Sequence, residues 1–106
     1  YVVESGLFSS LPMDNTLEVI YSVLQKEGEE ILESARKKAD SAGVPLTAHL
    51  RQGHAGSQIV SLAEELGADL ILLGSHGKSG VDRLLLGSVT DYVVRNSPIT
   101  TTVVRS

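Results

Sequence analysis

The sequence predicts an α/β fold with a doubly wound, mostly parallel sheet and helices on both faces. Strand-like apolar segments alternate with segments of helical periodicity along the 106 residues, in the order β-α-β-α-β-α-β. Alternation of this kind implies right-handed crossovers between parallel strands. The length, together with a hydrophobic content of 42%, fits a single domain over residues 1–106.

The composition narrows the classes of function. The formal net charge is -4, and the basic residues form no cluster beyond Arg36-Lys37-Lys38, so we expect no nucleic-acid partner. The absence of cysteine excludes a disulfide scaffold and any cysteine-based metal site. No apolar run reaches the roughly 18 residues that a membrane span needs, and no signal peptide is visible. We therefore expect a cytoplasmic protein without a membrane contact.

The first elements are a short strand, a loop and a long helix. Tyr1-Val2-Val3 is a strand-like run, and a polar loop follows over 5–15. A helix is predicted over about 16–42, which Gly43 ends as a left-handed residue and Pro45 prevents from continuing. Its apolar positions recur at spacings of three, four or seven and form one stripe: Leu17, Ile20, Leu24, Ile31, Ala35, Ala39 and Ala42.

The middle of the chain alternates strand, helix and strand. Residues 44–50 alternate apolar and polar with a period of two, which predicts a strand with one buried face, and Pro45 favours an edge position. A helix follows over about 55–66 and ends at Gly67. The apolar run over 69–73 is typical of a parallel strand that is covered on both faces.

The last elements are a loop, a short helix and a strand. The loop covers 74–87, and the helix is predicted over about 88–96. Ser88 and Asp91 have the spacing of a capping box, with Ser88 as the N-cap residue. Pro98 breaks the helix, and residues 99–104 form the final strand.

The loop after the third strand-like element, residues 69–73, is the place where a ligand is expected, because open α/β sheets bind ligands beyond the carboxyl ends of their strands. Two common phosphate motifs fail here. A Walker A loop that ends at Gly77-Lys78-Ser79 requires glycine where the chain has Leu72, and a dinucleotide fingerprint that starts at Gly74 requires glycine where it has His76.

A third glycine pattern fits this loop. Gly74, two residues, Gly77, nine residues and then Gly87-Ser88 resemble the G-2x-G-9x-G(S/T) signature of ATP-binding universal stress proteins. The sequence segments 68–77, 85–90 and 96–98 resemble that family as well. The resemblance covers essentially the whole chain and is most specific over 68–104.

The resemblance implies an adenine-nucleotide site, with ATP as the cofactor and Mg²⁺ or Mn²⁺ held by its phosphates. Glycines at 74, 77 and 87 allow close approach of an anion and positive φ where it is needed, and a helix start at Ser88 directs N–H groups at phosphate. The hydroxyls of Ser75, Ser88 and Thr90 add hydrogen bonds. The residues that the resemblance assigns to the nucleotide are Val2, Leu73, Gly74, Ser75, His76, Gly77, Gly80, Gly87, Ser88, Val89 and Thr90.

Several polar residues in or near this region have a second interpretation. Gly74 and Gly87 could serve as turn glycines only, although their spacing favours the ligand interpretation, and Ser88 could serve only as an N-cap, a role that is compatible with phosphate contact. Lys78 is a candidate phosphate partner, although a solvated loop lysine is the commoner outcome. His49 and His54 have no third ligand at metal spacing, so we interpret both as structural or surface residues and expect no protein-held metal.

The chain departs from the family at its beginning. The resemblance implies a five-stranded sheet in the order 3-2-1-4-5, in which Tyr1-Val2-Val3 is strand two, so strand one, its helix and its adenine-contacting aspartate have no counterpart. Without that central strand, buried ladder groups lose partners at roughly 1–3 kcal/mol each. An omitted segment, a cleaved piece that stays bound and a strand donated by a partner all remain open.

The sequence is compatible with three functions. The leading one is a regulatory, ATP-binding stress-response module. The alternative is a dimeric interaction module of the same fold without nucleotide. An enzyme of the wider adenine-nucleotide α-hydrolase-like group is the third, although no nucleophile–base pair is visible and we expect at most slow ATP hydrolysis. The resemblance also implies a homodimer through the last strand, residues 99–104, which is an edge strand.

Overall fold

The computed structural model describes residues 1–4, 15–75 and 87–105, which belong to two compact units, Tyr1–His54 and Ala55–Ser106. The predicted polar loop over 5–15 lies outside the described residues except for Asn15, which begins a helix, and most of the loop over 74–87 lies outside them as well. The elements, in chain order, are β1 (Val2–Glu4), α1 (Asn15–Ala42), β2 (Arg51–Gly53), α2 (Ala55–Glu65), β3 (Ile71–Gly74), α3 (Ser88–Asn96) and β4 (Thr101–Val104).

The long helix α1 confirms the prediction for 16–42 to within one residue. Its end at Gly43 is also confirmed: Gly43 has φ +69°, and Val44 N–H donates to the carbonyl of Ala39. The apolar stripe differs from the prediction at Ile31 and Ala42, which are both exposed, while Gly28 is buried and Leu32 is half-buried. The ring of Tyr1 packs directly against position 28 of the helix. A Cβ at this position would lie 2.6 Å from Tyr1 Cδ1, so this close approach requires glycine.

The strand predicted over 44–50 is wrong. Those residues are not in a strand, and β2 begins only at Arg51, where it pairs in parallel with β1 in the register Val2↔Arg51. In that register β2 pairs with the three residues of β1, and residues 44–48 take part in no strand pairing of the described residues. The alternation of apolar and polar residues over 44–50 is therefore not accompanied by a buried strand face, and Val44 and Leu46 are exposed.

The second unit is a two-stranded parallel sheet with two helices on one face. Strand β3 pairs with β4 in the register Ile71↔Thr101. The core consists of Ala63 from α2, Ile71 from β3 and Val93 from α3. The half-buried apolar residues that pack around this core are Ile59, Val60, Ala68, Leu73, Val89 and Ile99.

The prediction that β3 is covered on both faces is wrong within this unit. Ile71 is 7% exposed and Leu72 is 64% exposed, so the strand has one buried and one open face. Alternate residues of a strand point to opposite faces, and the core cluster lies on the face of Ile71 and Leu73. A continuous apolar run does not by itself distinguish the two arrangements.

The remaining boundaries lie close to the predictions. Helix α2 ends at Glu65 with Gly67 at φ +63°, and α3 spans Ser88–Asn96 as predicted. Strand β4 begins at Thr101 rather than at residue 99, because a turn precedes it in which Ile99 N–H donates to Ser97 Oγ at 3.0 Å.

The described strands thus form two parallel pairs, β1–β2 and β3–β4. These are the neighbours expected for strands two with three and four with five, which confirms an α/β fold with parallel pairing. The order of all five strands stays a prediction. No helix within 1–4, 15–75 and 87–105 is long and apolar enough to cross a membrane.

Candidate functional site

The candidate site lies where β3 ends and α3 begins. Ser75 N–H donates to the carbonyl of Val104 at 2.9 Å, which extends the β3–β4 ladder one residue beyond the strand. Gly87 N–H donates to the carbonyl of Ser75 at 2.8 Å, and Asp91 N–H donates to the carbonyl of Gly87 at 2.9 Å. The first helical hydrogen bond of α3 is therefore anchored directly at the carboxyl end of β3.

The N-cap residue of α3 is Gly87, not Ser88, and the predicted capping box is wrong. Gly87 accepts the first helical hydrogen bond and has extended backbone angles, φ -61° and ψ 156°, while no side chain of the described residues caps the helix. Ser88 is the first helical residue and is exposed. The Asp91 carboxylate accepts a hydrogen bond from Arg95 Nε at 3.0 Å instead of reaching back to the cap.

This cap leaves the start of α3 suited to an anion. The first N–H groups of any α-helix have no intrahelical acceptor, and the helix dipole places partial positive charge there. At α3 these are the N–H groups of Ser88, Val89 and Thr90, which directly follow the Gly87 cap. Positive φ is not what glycine provides here, since neither Gly74 nor Gly87 has it. What glycine provides at these two positions is therefore the lack of a side chain, which leaves the backbone accessible to a ligand.

Thr90 is buried at the site, and its hydroxyl has a partner within the protein. The residue is 5% exposed, and Oγ1–H donates to the carbonyl of Gly74 at 2.6 Å. A carbonyl only accepts, so the hydroxyl proton is directed at Gly74. The expectation that this hydroxyl donates to phosphate therefore does not fit the structure.

The structure brings together six of the predicted nucleotide residues, all in the second unit: Gly74, Ser75, Gly87, Ser88, Val89 and Thr90. The side chains of Leu73 and Val89 pack against the core cluster. The backbone N–H of Val89 lies in the first turn of α3, whereas Leu73 belongs to the β3 strand that pairs with β4. Val2 lies on β1 in the first unit and is half-buried. His76, Gly77, Gly80 and Lys78 lie outside the described residues.

Sequence reasoning missed the two contacts that fix this geometry. The Thr90–Gly74 bond joins residues 16 positions apart, and no spacing rule predicts it. The Gly87–Ser75 bond likewise closes over the whole intervening loop. In the described part of the chain, no group of three or more His, Cys, Asp or Glu residues is arranged to hold a metal ion.

Parallel strands joined by helices, with one helix that begins at the end of a strand, define an open-sheet α/β protein. The model of the universal stress protein family matches residues 1–105. The chain belongs to the universal stress protein family.

Individual relatives agree with this assignment. The chain is 39% identical over 97 residues to the universal stress protein MJ0531 of Methanocaldococcus jannaschii, and the match covers 92% of this chain and 57% of that protein. It is 36% identical over 109 residues to a universal stress protein of Methanothermobacter thermautotrophicus, with coverage of 100% and 73%. The chain thus spans little more than half the length of the first relative.

A solved structure shows the same fold. The hypothetical protein MJ0577 superposes with a TM-score of 0.85 at 28% identity, over 99% of this chain and 72% of that one. The short strands and three helices described above therefore have the α/β architecture of the family.

Proposed function

We propose that this chain is a regulatory stress-response module that binds ATP, with the phosphates at the N-terminus of α3 and Mg²⁺ or Mn²⁺ held by those phosphates. The observation that carries the proposal is the hydrogen bond from Gly87 N–H to the carbonyl of Ser75. It places the start of a helix at the carboxyl end of a parallel strand, where open α/β sheets bind their ligands.

The glycine pattern supports the same site independently. Gly74 and Gly87-Ser88 flank the loop at the spacing of the G-2x-G-9x-G(S/T) signature, and Gly77 completes it. Both described glycines of the pattern adjoin Ser75: Gly74 precedes it in the chain, and Gly87 donates a hydrogen bond to its carbonyl. Backbone without a side chain lets an anion approach the N–H groups of the helix closely.

The charge for binding comes from the helix rather than from a cluster of cations. The N–H groups of residues 88–90 and the dipole of α3 together supply partial positive charge, which is sufficient for phosphate binding in many α/β proteins. Val2 and Leu73 are proposed for the adenosine side. We propose at most slow hydrolysis, because the described site residues supply hydroxyls and N–H groups but no general base.

Calorimetric titration of Mg·ATP into the full-length protein tests the proposal, with a Gly87→Val variant alongside. The backbone angles of Gly87 are open to any L-residue, so valine introduces a branched side chain at the site without forcing the backbone. We expect micromolar-range binding that the variant loses while its thermal unfolding stays close to that of the parent. No binding by the parent protein would refute the proposal and favour the interaction module without nucleotide.

The second proposal concerns the partner, a second copy of this chain paired through β4. Among the described strands β4 has one hydrogen-bonded neighbour, β3. The carbonyls of Thr100 and Val104 accept from β3, so by alternation the backbone groups of Val103 face the other edge. Sedimentation of the full-length protein is expected to show a dimer that Val103→Pro weakens, since proline removes an outward N–H. A monomeric parent protein would contradict this pairing.

A further inference from the structure

We infer that Thr90 is a positioning residue for the phosphate half of the site: its buried hydroxyl holds the first turn of α3 against the end of β3 and is not itself a phosphate ligand. This inference rests on the proposed ATP function and deepens it. It assigns to Thr90 a role different from that of the neighbouring residues of the glycine signature.

The position of Thr90 within α3 explains why it reaches the strand. With Gly87 as the N-cap, Thr90 is the third helical residue, and side chains of a helix lean toward its N-terminus. The hydroxyl therefore points back toward β3 and meets the carbonyl of Gly74 at 2.6 Å. The methyl group and Cβ are enclosed with it, which leaves the residue only 5% exposed.

Two hydrogen bonds fix α3 to consecutive carbonyls of the strand end. Gly74 accepts from the Thr90 hydroxyl, and Ser75 accepts from the Gly87 N–H. The strand end is itself held by the bond from Ser75 N–H to Val104. One bond acts at the cap and the other one turn later, so together they restrain the direction of the helix axis as well as its starting point.

The chemistry of the bond separates positioning from ligation. Because the Thr90 proton is given to a carbonyl, the hydroxyl presents only lone pairs to any further neighbour, and these repel a phosphate oxygen. The bond also gives the Gly74 carbonyl, at the end of β3, a hydrogen-bond donor within the protein. Thr90 thus favours phosphate by orienting the N–H groups of Ser88 and Val89 and by partnering a carbonyl, without contact to the ligand.

The test uses Thr90→Val in the full-length protein, since valine keeps the shape of threonine and lacks the hydroxyl. We expect ATP affinity to fall roughly three- to tenfold, the range of one hydrogen bond, while adenosine affinity stays unchanged. Before any nucleotide is added, amide hydrogen exchange at Gly87 should be faster in the variant. Thr90→Ser, which keeps the donor, should restore both readouts toward those of the parent.

Thr101→Val is the matched control. The Thr101 hydroxyl also donates to a backbone carbonyl, that of Ile99 at 3.0 Å, but at the amino end of β4. This variant should leave ATP affinity and Gly87 exchange unchanged.

The alternatives give different results. An ATP loss in Thr90→Val with unchanged Gly87 exchange would show a direct ligand and overturn positioning. A parallel loss for ATP and adenosine, or no loss for either, would reduce Thr90 to a structural role and overturn the inference alone. A parent protein that binds no ATP would refute the proposed function, and the inference with it.

Discussion

The ring of Tyr92 on α3 lies directly over Gly56 on α2. A Cβ placed on Gly56 would come within 2.6 Å of Tyr92 Cδ1 and 2.9 Å of Tyr92 Cβ. Real Cβ atoms do not approach other carbon atoms so closely, and the Tyr92 Cβ is fixed to the helix backbone. The two helices that cover the β3–β4 sheet therefore approach each other as they do because position 56 has no side chain.

Gly56→Ala should lower the free energy of unfolding. We expect a loss of about 1–3 kcal/mol from overpacking, reduced by up to about 1 kcal/mol because alanine is the better helix former. Urea denaturation of the full-length protein measures the net effect. Ser61→Ala is the control, because Ser61 is exposed on the same helix and should give no loss. Equal stability of the two variants would contradict the close contact of α2 and α3.

Two adjacent valines of α3 should respond differently to the same truncation. Val93 is 0% exposed in the core, and Val94 is 46% exposed. Val93→Ala should lower the free energy of unfolding by roughly 1.5–3 kcal/mol through lost burial and the cavity left behind, whereas Val94→Ala should stay within about 0.5 kcal/mol. Denaturation of both variants under the same conditions decides this. A larger loss for Val94 would mean that α3 presents a different face to the sheet.

Gly43 ends α1 in the left-handed region, and its substitution should report backbone strain alone. Its φ is +69°, and apart from Gly43 and its two chain neighbours no described residue has an atom within 4 Å of a Cβ built there. Gly43→Ala should therefore destabilise the protein by about 1–2 kcal/mol, and Gly43→Asn by less, since asparagine tolerates this region. Thermal unfolding of the pair measures the difference. Equal losses in both variants would indicate steric contact instead of strain.

The helices could be predicted because their signals are local. Gly43 and Gly67 each follow a helix at φ near +65°, and each pairs with hydrogen bonds within the last turn, such as the bond from Gly67 N–H to Glu64. Strand limits could not be predicted in the same way. Whether residues 44–50 form a strand depends on the register of Val2 with Arg51, a relation across about half of the chain.

The candidate site was predictable in its location but not in its details. The spacing of Gly74 and Gly87 indicated the loop, and the helix start followed from its position. The sequence alone does not distinguish Gly87 from Ser88 as the N-cap, because the two residues are adjacent and both glycine and serine are favoured at N-cap positions. The role of Thr90 depends on a contact with Gly74 that only the folded chain creates.

The central claim is that the first turn of α3 binds phosphate, and a charge placed there tests it most directly. Ser88 is the first helical residue and is exposed, so Ser88→Asp adds a carboxylate that the helix dipole tolerates, while Ser88→Asn adds the same shape without charge. Calorimetric titration with Mg·ATP should show an affinity for Ser88→Asp that is about tenfold or more below that of Ser88→Asn, because the added carboxylate repels the phosphates. Equal ATP affinity in both variants would contradict the claim and place the phosphates elsewhere.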